Sequence, residues 1–88
     1  MGLALRKLKK ILEQNFPAPD KVDLRDEDGV IGVITSKRFR RLDTMQRQNM
    51  IHDILASSLT GDERRHVLLL VGVTPEEELA NASTDNKE

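Results

Sequence analysis

Val30 to Leu55 reads VIGVITSKRFRRLDTMQRQNMIHDIL, and this stretch decides the fold. It opens on an apolar run with β-branched residues, Val30 to Thr35, which is the composition of a buried strand. It closes on Ile51, Ile54 and Leu55, with Leu59 extending the stripe, at the spacing of an amphipathic helix. Asp43 followed by Gln46 supplies the N-cap and capping-box partner that start this helix. Between strand and helix lies a basic connection, Lys37, Arg38, Arg40 and Arg41, with Phe39 in its middle. A strand that hands the chain through such a loop to a helix can present cations to an anionic partner.

On the N-terminal side, Leu5, Leu8, Ile11, Leu12 and Phe16 recur at three- and four-residue intervals, predicting a helix over roughly Leu3 to Gln14. Pro17 and Pro19 end it, because proline cannot continue the hydrogen-bond ladder. Val22 and Leu24 alternate with Lys21, Asp23 and Arg25, the pattern of a half-exposed strand. Asp26-Glu27-Asp28-Gly29 then makes a turn, with Gly29 free to take positive φ, and sets this strand antiparallel to Val30–Thr35.

On the C-terminal side, Thr60-Gly61-Asp62 reads as a helix end with glycine as the left-handed cap. The unbroken run Val67 to Val71 reads as a strand buried on both faces, central in its sheet or covered by helices. Thr74-Pro75-Glu76-Glu77 starts another helix, with a Thr cap, Pro in the first position and a Glu three residues after the cap. That helix is expected to end near Ala80. Residues 81–88 lack apolar side chains and are expected to form a disordered acidic tail, which leaves 1–80 as a single domain. The order helix, strand, strand, helix, strand, helix implies an α+β protein of two layers, a three-stranded sheet with helices on one face.

The chain has 88 residues, 38% of them hydrophobic, and Phe16 and Phe39 are its only aromatics, so the core is aliphatic. Cysteine is absent, which excludes disulfides, thiolate ligands and thiol nucleophiles. No apolar run approaches the ~20 residues of a membrane span, and Arg6, Lys7, Lys9 and Lys10 precede no long apolar segment. The expectation is a soluble cytoplasmic protein. The net charge is −1, yet Lys37, Arg38, Arg40, Arg41 and Arg47 are opposed locally only by Asp43, while Glu76, Glu77, Glu78, Asp85 and Glu88 cluster near the end. A basic middle and an acidic tail result.

His52 and His66 are the only histidines. His52 follows Ile51 by about 100° on the helix and is expected at the edge of the apolar stripe as a partly buried packing residue. His66 stands at the mouth of the last strand, where a ring can meet solvent while its backbone is held. No serine is placed beside a histidine as a nucleophile needs. Asp26, Glu27 and Asp28 lack the further ligands and closing Glu of a calcium loop. Gly29-Val30-Ile31-Gly32 matches the short loop of KH domains only superficially, because its glycines flank the start of a strand rather than join two helices.

These residues together resemble the BolA-like family, over about Leu5 to Glu78. The resemblance rests on Val33-Ile34-Thr35-Ser36-Lys37-Arg38-Phe39, Arg47-Gln48 in the second helix, His66-Val67-Leu68-Leu69, and Thr74-Pro75-Glu76. Arg41 replaces the glycine usual two residues after the Phe, and the first turn lacks the His or Cys that some members carry. The resemblance implies a mixed three-stranded sheet related in shape to KH domains, with a short helical turn near Lys37 to Arg41. It implies a non-enzymatic adaptor that forms a heterodimer with a monothiol glutaredoxin in iron–sulfur cluster trafficking, with His66 as the chain's ligand to a shared cluster. Lacking thiolates, this chain cannot hold such a cluster alone, but it can offer one imidazole to it. That imidazole donates only when deprotonated, so binding is pH-sensitive. The basic residues Lys37, Arg38, Arg40, Arg41 and Arg47 would dock that partner. The alternative implied by some bacterial members is a DNA-binding regulator in which the same residues contact phosphates. A third reading is an interaction domain that has lost its metal role.

Overall fold

A computed structural model of the chain describes residues 5–86, with side-chain environments for residues 5–80. The first helix, α1, spans Leu5–Asn15, and its apolar stripe puts Leu8 and Leu12 at 0% exposure. Phe16 follows at 1% exposure, and the chain turns away at Pro17, which cannot extend the ladder. The expected first helical residues, Leu3 and Ala4, lie outside the described residues.

Strands β1 (Lys21–Asp26) and β2 (Val30–Thr35) form an antiparallel hairpin, with Asp23 opposite Val33. Gly29 closes its turn at φ 128°, the left-handed conformation expected of it. Strand β3 (Val67–Val73) pairs parallel to β2, so the sheet is mixed, in the order β1-β2-β3. Helix α2 (Thr44–Ser58) makes the crossover. It shares one core with α1 over Val30, Ile34 and Leu70, so both helices cover the same sheet face. The α+β two-layer architecture is as expected.

The place of β3 is not. It is an edge strand rather than a central one, and Leu68 and Leu69 are 58% and 54% exposed. Two helices on one face of a three-stranded sheet leave the other face open, so an unbroken apolar run does not imply burial on both sides. Ile31, Val33, Leu69, Val71 and Val73 line that open face, with Val33 41% exposed.

The basic connection begins as a 3-10 turn, Lys37–Phe39, within the segment where the resemblance implied one. Ser36 Oγ accepts from the Arg38 N–H at 3.0 Å and donates to Asp20 Oδ2 at 2.8 Å. The turn drives Phe39 to 0% exposure, with its ring 5.4 Å from that of Phe16. It lies so close to Gly72 that a Cβ there would stand 2.7 Å from the ring. A side chain at 72 would displace the Phe, which is why glycine interrupts the apolar strand.

Asp43 caps α2 as predicted: Gln46 N donates to its side chain at 2.8 Å, and Gln46 Oε1 accepts from the Asp43 N–H at 3.0 Å. Past α2 the structure corrects two expectations. Gly61 is no left-handed cap. It is the first residue of a short helix, α3 (Gly61–Arg65), whose N-cap Thr60 and residue Glu63 form a second capping box. The Thr-x-x-Glu spacing carries that signal. The last helix, α4 (Pro75–Asn86), runs beyond Ala80, so residues 81–86 are helical rather than a tail; residues 87 and 88 lie outside the described residues.

Arg41 occupies the left-handed region at φ 68°, where its Cβ crowds the backbone. The turn is fixed on both sides, by the buried Phe39 and by the Asp43 cap, so the strain is imposed on residue 41 rather than relieved by it. Arg41→Gly is expected to raise stability by about 1 kcal/mol, a rise of roughly 4–8 °C in the thermal midpoint of so small a domain. An unchanged or lower midpoint would show that the Arg41 side chain contributes more than its backbone costs.

Candidate functional site

His66 is the C-cap of α3, one residue before β3, and its side chain is exposed. Its backbone is held from two directions. The carbonyl accepts from Val30 N–H at 2.7 Å, and its own N–H reaches Glu63 O at 3.2 Å. The ring is thus presented to solvent from a main chain locked into the sheet. Because Val30 follows the β1–β2 turn directly, the turn Asp26–Gly29 and His66 share one end of the sheet. That turn offers the carboxylates of Asp26, Glu27 and Asp28. Among the described residues, no group of three or more metal-ligating side chains converges.

His52 is exposed, not partly buried at the edge of the apolar stripe as expected. It sits on the outer flank of α2, beside a groove of about 150 Å³ between that helix and β3, with Gln48, Leu68 and Leu69 on its walls. Gln48 Nε2 donates to Leu70 O at 2.8 Å across the groove, satisfying a carbonyl on the outer edge of β3. The groove and His66 adjoin the same strand start. A broad hollow of about 750 Å³ lies on the open sheet face, bordered by Val33, Val73 and Glu78. Its polar lining is carboxylate-rich, with Glu13, Asp20, Asp23 and Glu78 beside Lys21 and Thr35.

The basic segment is largely consumed by the protein itself. Arg38 Nη1 donates to Asn15 O at 2.6 Å, and its guanidinium lies 4.8 Å from the centre of the Phe16 ring. Arg40 is bound bidentately by Glu76. Arg47, whose side chain is only 15% exposed, donates to Leu42 O at 2.9 Å, to Gly72 O at 3.1 Å and to Glu77 Oε1 at 2.7 Å. Its guanidinium also stands 5.9 Å from the Phe39 ring centre. Lys37 and Arg41 are exposed, and their side chains make no ion pair or hydrogen bond among the described residues. In sequence the five cations read as one surface; the acidic first turn of α4 in fact neutralises Arg40 and Arg47. Nothing local marks the Arg47–Glu77 contact, which joins residues 30 apart.

The structure also separates what the sequence reading combined. His66 adjoins the start of β2, whereas Lys37 follows its end. Six residues of strand put roughly 16 Å between the two at about 3.3 Å per residue.

The Arg40 guanidinium holds the Glu76 carboxyl below the usual carboxylate range, and Arg47, followed by the Thr74 backbone N–H, does the same for Glu77. Carboxyls lowered by folding stabilise the folded form above their unfolded pKa and lose that effect as pH falls through the folded value. Docking of α4 onto the basic segment is therefore expected to be intact at neutral pH and to loosen in the acid range, below about pH 4.3. Amide chemical shifts of Thr74 to Glu78 followed through an acid titration should show a transition that Glu77→Gln shifts or removes. No transition in the native protein would mean that the clamp is held by packing alone.

No helix among the described residues is long and apolar enough to cross a membrane. Comparison with protein-family models, with curated proteins and with solved structures gives no match.

Proposed function

We propose that this chain is a non-enzymatic, cytoplasmic adaptor of BolA-like type that supplies His66 as one ligand to an iron–sulfur cluster shared with a monothiol glutaredoxin. One observation carries the reading: an exposed imidazole stands on a main chain fixed by the sheet, in a protein with no cysteine. Such a donor fits a cluster whose remaining ligands come from another molecule, and it fits no cluster held by this chain alone. When bound, the cluster would supply electron-transfer or transfer-competent iron and sulfide; the protein's part is to orient a nitrogen donor and to bury the contact.

The surface that suits the docking partner is the one around that ring. Leu68 and Leu69 are 58% and 54% exposed beside it, and His52 and the α2–β3 groove continue it. Exposed neighbouring leucines gain from being covered, at about 25 cal/mol per Å² removed from water. The basic segment, at the far end of β2, joins this contact only if the partner spans the strand.

The test is to mix the protein with a glutaredoxin carrying a glutathione-ligated cluster and record visible absorption and circular dichroism. The native protein should change the cluster spectrum, His66→Ala should abolish the change, and His52→Ala should keep it. An unaltered spectrum with native protein removes the proposal.

The nucleic-acid alternative has little left to work with, since Arg38, Arg40 and Arg47 are engaged internally. With Lys37 and Arg41 as the free cations of that segment, its contacts should give DNA affinity a logarithmic salt slope no steeper than about −2. A steeper slope would mean that DNA pulls Arg40 and Arg47 away from α4.

A further inference from the structure

The outer edge of β1 is unpaired, and its orientation can be read from the hydrogen bonds of β2. Val30 N–H donates to His66 O and Ser36 N–H to Val73 O, so the even-numbered residues of β2 face β3 and the odd-numbered ones face β1. Asp23 lies opposite Val33. The backbone groups of Lys21, Asp23 and Arg25 therefore turn inward to β2, and those of Val22, Leu24 and Asp26 turn outward. The side chains alternate the other way. Lys21, Asp23 and Arg25 stand exposed on the open face, while Val22 and Leu24 are half-buried on the helix side. No hydrogen bond among the described residues engages the outward groups of Val22 and Leu24.

We infer that this edge binds a second copy of the chain, through antiparallel β1–β1 pairing about a two-fold axis at Leu24. In that register Leu24 meets its own copy as a hydrogen-bonded pair, and Val22 meets Asp26 of the second copy, so the outward N–H and C=O groups satisfy one another. The charges fall into opposite-sign pairs: Asp23 faces Arg25 of the second copy, Lys21 faces Glu27, and each pair occurs twice by symmetry.

Neighbouring registers are rejected by the same side chains. An axis at Asp23 sets Asp23 against its own copy and Lys21 against Arg25. An axis at Arg25 sets Arg25 against its own copy and Asp23 against Glu27. Like charges directly opposite destabilise a strand pair. Charge on an edge strand ordinarily repels any newcomer; here its order admits one partner in one register. The result is a single sheet continuous through both copies, with the open apolar faces on one side. His66 and β3 lie at the opposite edge, so this inference and the proposed function stand or fall separately.

Analytical ultracentrifugation of the full chain over a range of concentrations tests it. The native protein should dimerise as concentration rises, and the amides of Val22 and Leu24 should gain protection from hydrogen exchange with it. Asp23→Arg and Arg25→Asp should each weaken self-association about tenfold or more. Their 1:1 mixture should recover association as a heterodimer, because each variant then faces the charges it lacks. The double variant should recover it as a homodimer. Both positions are solvent-facing, and unchanged far-ultraviolet circular dichroism checks that the variants fold. A monomer at every concentration, as would follow if α1 fences the edge, overturns the inference. So does a dimer indifferent to both substitutions, or a mixture that associates no better than its components.

Discussion

Seating the Phe39 ring against Gly72 is the constraint on which most of this molecule depends. The ring has no exposure, rests on Phe16 from α1, and leaves no room for a side chain at residue 72 of β3. It therefore ties the end of α1, the connection after β2 and the last strand to one point. Arg47 closes over it and donates to the carbonyls of Leu42 and Gly72 as well as to Glu77. A guanidinium so largely shielded, with its donors shared among two carbonyls and a carboxylate, contributes far more to order than the exposed Arg25–Glu27 or Lys21–Glu78 pairs. The same packing holds the connection rigid enough to impose a left-handed backbone on Arg41.

This arrangement gives the two ends of the sheet different characters. At the end of β2, arginines that would make a phosphate-binding surface are turned into structural donors, and the acidic first turn of α4 neutralises them. At its start, the exposed ring of His66 stands beside exposed leucines and a shallow groove. The first end leaves Lys37 and Arg41 as its cations outside ion pairs, and the second sets exposed leucines close in sequence to one nitrogen donor. The far edge, β1, carries its charges in an order whose sign reverses about Leu24, Asp23 against Arg25 and Lys21 against Glu27.

Where the signals are local, the sequence was legible. The Asp43–Gln46 capping box, the Gly29 turn and the heptad-like spacing of α1 each involve residues within one or two turns of chain, and each appears as read. Thr60-x-x-Glu63 carries the same signal as Asp43-x-x-Gln46, but Gly61 between them reads more readily as a stop. The length of α4 exceeds the sequence reading for a related reason. Absence of apolar residues argues against packing, but a helix already nucleated by a Thr cap and Pro in the first position continues through residues such as Ala80 and Ala82 without needing a core.

The sequence by itself determined the order of the main helices and strands, the two-layer class and the lack of any thiolate; the expected aliphatic core instead includes both Phe16 and Phe39. Periodicity, capping residues and composition report on neighbours in the chain, and those properties depend on little else. Tertiary structure alone decided that β3 lies at an edge, that His52 is exposed, that Arg40 and Arg47 face Glu76 and Glu77, and that His66 and the basic segment lie at opposite ends of β2. Each of these is a relation between residues far apart in sequence. Strand order and helix crossing fix such relations, and no side chain announces them in advance.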